Sequence, residues 1–221
     1  MRRPPPLGAL PAFPIVGGTA VLSVALSLLY WSGRDVTPFL MEGWRQEPWR
    51  LFTSTLLHGD ALHLLFNLYW LWVLGSLVEQ EWGTPQALAT VLLFGGASGA
   101  AQYAFSGGGI GLSGVNYGFV GLLWELGRRD PRFLGAMDRR LLYFFLFWFG
   151  LCIVLTSAGA WNIANVAHGA GFLLGILLGR AASERPERRP VYAGLLGLTV
   201  ALILAGATIA RPYLVGQLPW L

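Results

Sequence analysis

The sequence predicts an all-α polytopic membrane protein with seven spans. Its 221 residues are 55% hydrophobic and only 12% charged, where a soluble domain carries about 25% charged residues. The apolar residues gather into runs near the roughly 17–25 residues that a helix needs to cross a bilayer. The arginines are also distributed unevenly between alternate connections, as expected when topology places them.

The first span is read over 12–31. Arg2 and Arg3 precede it, which resembles a signal peptide. However, no small-x-small cleavage pattern closes the run, and Tyr30-Trp31 looks like an interfacial anchor. A long external loop over 32–60 leads to spans over 61–78, 86–105, 113–127, 141–157, 163–179 and 191–210. This divides the chain into a cytoplasmic tail (1–11), a six-span core (12–180), and a C-terminal part (181–221) holding a cytoplasmic loop, the seventh span and a short external tail.

The net charge of +4 comes from arginine alone, because the chain has no lysine. Arg2 and Arg3 lie before the first span. Arg128, Arg129, Arg132, Arg139 and Arg140 follow the fourth, and Arg180, Arg185, Arg188 and Arg189 follow the sixth. The opposite face has only Arg34, Arg45, Arg50 and Arg211. The positive-inside rule therefore sets the N-terminus in the cytoplasm and the C-terminus outside. Only the connection at 79–85, with Glu79 and Glu81 and no arginine, casts no vote. The arginines follow topology rather than forming a patch, so no nucleic-acid partner is expected. A bacterial plasma membrane fits this short, arginine-only chain. Cys152 is the single cysteine, so no intrachain disulfide forms, and it reads as a small apolar filler.

Polar side chains at membrane depth are expensive and point to function. Of the three histidines, His63 and His168 lie in strongly apolar stretches, while His58 is placed nearer the interface, where it costs little. Spans two, four and six run in the same direction, with Glu79, Arg128 and Arg180 marking their inner ends. At 1.5 Å per residue, His63 and Asn67 lie ~24 and ~18 Å above Glu79. Ser113 lies ~22 Å above Arg128, and His168 ~18 Å above Arg180. Three helices thus bring polar groups to one layer in the outer half of the bilayer. The fourth span is short, ~22 Å from Ser113 to Gly127. Its start is therefore recessed, and the Gly-rich segment from Ser106 to Gly111 is expected to dip below the surface beside a water-accessible cavity.

Gly171, Gly175 and Gly179 repeat on one face of span six, and Gly114, Gly118 and Gly121 form a similar stripe on span four. Small residues at these intervals let helix backbones approach closely, which would bring Ser113 within reach of His168. The same stripes also serve simple packing. A serine hydroxyl needs an adjacent base, and His168 can supply one. No acid lies at this depth, so a Ser–His dyad is expected, with the imidazole held by packing and with Tyr117, one turn below Ser113, able to stack on it. His63 and Asn67, spaced i,i+4, share a helix face. Together with the Ser113 backbone N–H they offer oxyanion donors. Read singly, His63 is equally a structural hydrogen-bonding residue and Asn67 interhelical glue.

These residues resemble the motifs of the rhomboid family of intramembrane serine proteases. The resemblance covers roughly residues 42–180. Trp49-Arg50 is similar to the family's Trp-Arg pair in the first external loop, and His58, His63 and Asn67 match its His-x4-His-x3-Asn pattern. Glu79 matches an acidic residue at the inner end of the second helix. Gly111 to Gly114 match the Gly-x-Ser-Gly nucleophile motif, Tyr117 an aromatic below it, and His168, Gly171 and Gly175 the Ala-His-x2-Gly-x3-Gly pattern.

The resemblance implies a rhomboid-like six-helix core with one extra C-terminal transmembrane helix. It implies Ser113 as nucleophile and His168 as general base, with Ser113, His63 and Asn67 forming the oxyanion hole. The reaction would be hydrolysis of peptide bonds in or beside transmembrane segments of membrane-protein substrates, with no metal or cofactor. Two other readings remain open at this level. One is a catalytically silent rhomboid-like binder for membrane-protein quality control, though such relatives typically lack the serine or the histidine. The other is a transporter with a histidine proton relay, which would call for acids within the spans.

Overall fold

The computed structural model describes residues 4–42 and 44–210. Arg2, Arg3, Arg211 and the external tail expected after it lie outside the described residues. Seven long helices form: α1 (Pro14–Trp31), α2 (Ala61–Trp82), α3 (Thr84–Ser106), α4 (Ser113–Leu126), α5 (Arg139–Ser157), α6 (Asn165–Ser183) and α7 (Arg189–Ile209). Among the described residues there is no strand, and every long helix but α4 has the length and apolarity to cross a membrane. The protein is a multi-pass integral membrane protein. At 14 residues, α4 covers ~21 Å, less than the ~30 Å hydrocarbon thickness.

Local chemistry sets the helix ends. Asp60 caps α2 by accepting from the His63 N–H at 2.9 Å, and Asp138 caps α5 through the Leu141 N–H at 2.9 Å. Gly107, at φ 95°, ends α3 in the left-handed conformation that glycine adopts without strain. The connection expected at 79–85 is much shorter. Helix α2 runs through Glu79 and Glu81 to Trp82, and Gly83 alone, at φ 86°, joins it to α3. Glu79 is not a loop residue; it is buried on α2. Its two carboxylate oxygens accept from the Ile15 and Val16 N–H groups at 3.0 and 2.9 Å, closing the start of α1. Those donors have no partner inside their own helix, and a carboxylate there also suits the helix dipole.

Helix α4 is the centre of the bundle, buried at every residue from Gly114 through Leu123. Its neighbour α6 packs backbone against backbone. A Cβ added at Gly171 would collide with the Gly114 carbonyl oxygen, one at Gly175 with the Gly118 carbonyl oxygen, and one at Gly121 with the Phe172 carbonyl oxygen. Contacts that advance together along both chains mean that α4 and α6 are parallel. Their inner ends are joined by Glu125, only 2% exposed, which accepts from Arg180 Nε at 2.6 Å and pairs with Arg129. Arg180 also reaches Glu184 at 3.4 Å and the Tyr192 hydroxyl of α7 at 3.2 Å, tying the seventh helix to the core.

Gly175→Ala should therefore destabilise the protein by about 1–3 kcal/mol through overpacking. Gly194 on α7 has nothing within 4 Å of an added Cβ, so Gly194→Ala should stay within about 0.5 kcal/mol. Denaturation of both variants in detergent checks the contrast, and equal stability would refute the backbone contact.

Candidate active site

The site is assembled where α2 and α4 begin. His58, expected near the interface, is instead fully buried, because it joins three segments. Its Nε2 accepts from the Leu112 N–H at 3.3 Å. A backbone N–H can only donate, so the proton belongs on Nδ1, which donates to the Leu56 carbonyl at 3.1 Å and lies 3.3 Å from Ser27 Oγ on α1. The Trp31 indole donates to the His58 carbonyl at 2.9 Å, so this presumed interfacial anchor also serves the loop. Ser27 and His58 form a hydrogen-bonded serine–histidine pair, but both are 0% exposed and no substrate reaches them. Their role is to hold the residue that precedes Ser113.

The Gly-rich approach to α4 turns through Gly107, Gly108 and Gly111, all at positive φ. At Gly111 (φ 105°) a Cβ would lie 2.6 Å from Cε1 and Nε2 of His63, so only glycine allows the imidazole to lie against this strand of backbone. His58 and His63 meet edge to face, with ring centroids 4.8 Å apart. Ser113 opens α4 and is half-buried.

His168 is 4% exposed on α6. Its ring stacks on Tyr117 with centroids 4.6 Å apart and planes inclined by 22°, and Phe149 approaches edge-on at 6.0 Å. The Tyr117 hydroxyl donates to the Phe145 carbonyl at 3.0 Å, fixing the stacking surface to α5. His168 Nδ1 has no hydrogen-bond partner, so aromatic packing orients the imidazole. No hydrogen bond joins Ser113 to His168. The register of the helices bears on the pair all the same. Glu125 and Arg180 pair across 55 residues, which is also the separation of Ser113 and His168. An added Cβ at Gly114 would run into the Ser98 hydroxyl of α3 and would stand 3.4 Å from the Ala167 carbonyl oxygen of α6.

Asn67, 2% exposed, donates through Nδ2 to the His63 carbonyl at 2.9 Å. Its Oδ1 accepts from Asn116 Nδ2 on α4, also at 2.9 Å. Asn116, along with Gln102, whose Oε1 accepts from the Ala167 N–H at 3.1 Å, escapes a reading that follows serine and histidine. The signal that finds both is an amide within an apolar span.

The remaining motif residues build the scaffold. Arg50 donates to the Thr37, Leu40 and Glu42 carbonyls at 2.8, 3.4 and 2.6 Å and pairs with Glu47, cross-linking the first external loop. Trp49 is half-exposed, and its indole donates to the Pro38 carbonyl at 3.4 Å. Among the described residues no cluster of histidine, cysteine and carboxylate side chains has metal-binding geometry. The layer contains a hydroxyl at a helix start, an imidazole held by packing and several N–H donors, which are the parts that acyl transfer uses.

Comparison with known proteins finds similar chains of one family. A family model described as a Rhomboid domain matches residues 45–185. The chain is similar to the rhomboid protease GlpG of Pectobacterium atrosepticum, 38% identical over 173 residues, covering 76% of this chain and 62% of that protein. The rhomboid protease GlpG of Photorhabdus laumondii is 39% identical over 133 residues, covering 60% and 46%. That of an Enterobacter species is 37% identical over 142 residues, covering 64% and 51%. The matched part thus spans about half to three-fifths of these relatives.

His58 makes the stability of this assembly sensitive to acid. Burial, followed by the nearby His63, pushes its pKa down to about 3 from 6.5. An unfolded chain takes up that proton below about pH 6.5, whereas the folded chain stays neutral until about pH 3. This contribution is therefore complete above pH 6.5 and is lost as pH falls towards 3. Thermal midpoints in detergent should drop between pH 7 and pH 4, less steeply in His58→Gln than in the wild type. Equal slopes would count against the assignment.

Proposed function

The chain belongs to the rhomboid family, and on that premise we propose that it is an intramembrane serine endopeptidase cleaving peptide bonds in or beside transmembrane segments of other membrane proteins. The observation that carries this reading is the glycine-locked pairing of α4 with α6, which stacks His168 on Tyr117 one turn below Ser113.

In the proposed reaction, Ser113 Oγ attacks the scissile carbonyl carbon while the His168 imidazole takes its proton. The carbonyl oxygen becomes an oxyanion, stabilised by N–H donors from Ser113, His63 and Asn67. Collapse of the tetrahedral intermediate expels the amine, which takes the proton from His168 and leaves an acyl-serine. Water, deprotonated by the same imidazole, then hydrolyses that ester and regenerates Ser113. Each step uses this chain's own groups. The reading includes a hydrated cavity above Ser113, a cytoplasmic N-terminus and an external C-terminus. It also keeps the division into a tail (1–11), a rhomboid-like core (12–180), and a C-terminal loop and helix (181–221), in a bacterial plasma membrane.

The test is cleavage of a single-span model substrate by the chain reconstituted in liposomes. Ser113→Ala should abolish product, and fluorophosphonate labelling should vanish in Ser113→Ala and fall in His168→Ala. Product from Ser113→Ala at the wild-type rate would overturn the nucleophile assignment. A wild-type chain that binds the substrate without cutting it would point instead to a silent quality-control binder. Asn67→Ala should lower kcat by about 10²–10³-fold, the usual consequence of losing one oxyanion donor; unchanged kinetics would remove Asn67 from the site.

A further inference from the structure

Asn116 is 3% exposed in the first turn of α4, three residues past Ser113. Its Nδ2 donates to the Asn67 backbone carbonyl at 3.1 Å and to Asn67 Oδ1 at 2.9 Å. The backbone carbonyl can only accept, so the first bond determines which end of the Asn116 amide faces α2. That NH2 end demands an acceptor, so Asn67 must turn its oxygen towards Asn116. At the other end of the Asn67 amide, Nδ2 meets the His63 carbonyl at 2.9 Å, a second obligate acceptor. Turning Asn67 over would set donor against donor and acceptor against acceptor. One N–H of Asn67 Nδ2 remains uncommitted.

We propose that Asn116 is a positioning residue that locks the Asn67 carboxamide with its donor end available to the oxyanion. This inference rests on the protease reading and deepens it. An unlocked carboxamide can rotate by half a turn and present its oxygen, which repels the developing negative charge instead of stabilising it. The lock is strong because it lies in a buried site, where hydrogen bonds strengthen and unpaired groups are penalised. Asn116 Oδ1 itself has no partner. Valine or leucine would pack there without that penalty, and what the amide adds is the NH2 group that meets Asn67.

A double-mutant cycle in proteoliposomes tests this with Asn116→Val, Asn67→Ala and the combined variant. Asn116→Val should lower kcat by at least ~10-fold, short of the 10²–10³ that follows deletion of an oxyanion donor, and should leave KM unchanged. Affinity for a peptide aldehyde, whose hemiacetal resembles the tetrahedral intermediate, should fall in parallel. In the Asn67→Ala background the same substitution should have no further effect. Equal losses in both backgrounds, or wild-type kcat in Asn116→Val, would overturn the proposal. Thermal midpoints report whether each variant folds, and Asn116→Ala replaces the valine variant if a β-branched residue disturbs α4. If the wild type is inactive, or if Ser113→Ala still cleaves, it is the protease reading that has failed.

Discussion

The candidate site of this molecule depends on two backbones in contact. Between helices in hydrocarbon there is no water to expel, so association comes from close packing and hydrogen bonds. Gly171 and Gly175 on α6 and Gly121 on α4 let carbonyl oxygens lie where side chains would normally keep helices apart, while Gly114 and Gly118 clear space for Ser98 and Phe94 of α3. That contact sets separation and register together. The buried Glu125–Arg180 pair holds the same register at the inner end, and its side chains carry the seventh helix with them. A buried pair like this gives register more than it gives stability.

The second constraint is that a membrane supplies no water to loose backbone groups. This chain answers it with side chains reaching over long sequence distances. Glu79 closes the start of α1, His58 receives the Leu112 N–H, and Gln102 receives the Ala167 N–H. Each bond ends beside Ser113 or His168 or at the start of α1. The motif residues therefore fall into two groups. His63, Asn67, Ser113 and His168 carry the polar groups of the candidate site. His58, Glu79, Trp49 and Arg50 hold the backbone that presents them.

Preorganisation is the common outcome. A donor or base acts on a transition state only if it is already oriented when charge develops. Here packing against Tyr117 and Phe149 orients His168, and hydrogen bonds from both ends orient Asn67.

The sequence by itself determined the all-α membrane architecture and every long helix to within a few residues, α4 included. Apolar run length and glycine periodicity are local properties, readable without knowing the neighbours. It also marked Ser113, His63 and His168, because polar groups in apolar runs stand out wherever the chain goes. Tertiary structure decided what those runs face. It buried His58, which had looked interfacial, since its three partners come from α1, the first loop and the approach to α4. It reduced the 79–85 connection to Gly83, since Glu79 is needed on a helix to meet α1. It also revealed Asn116, whose meaning lies in an amide 49 residues away. Hydrogen-bond partnership between distant segments is set by packing, and no local pattern encodes it.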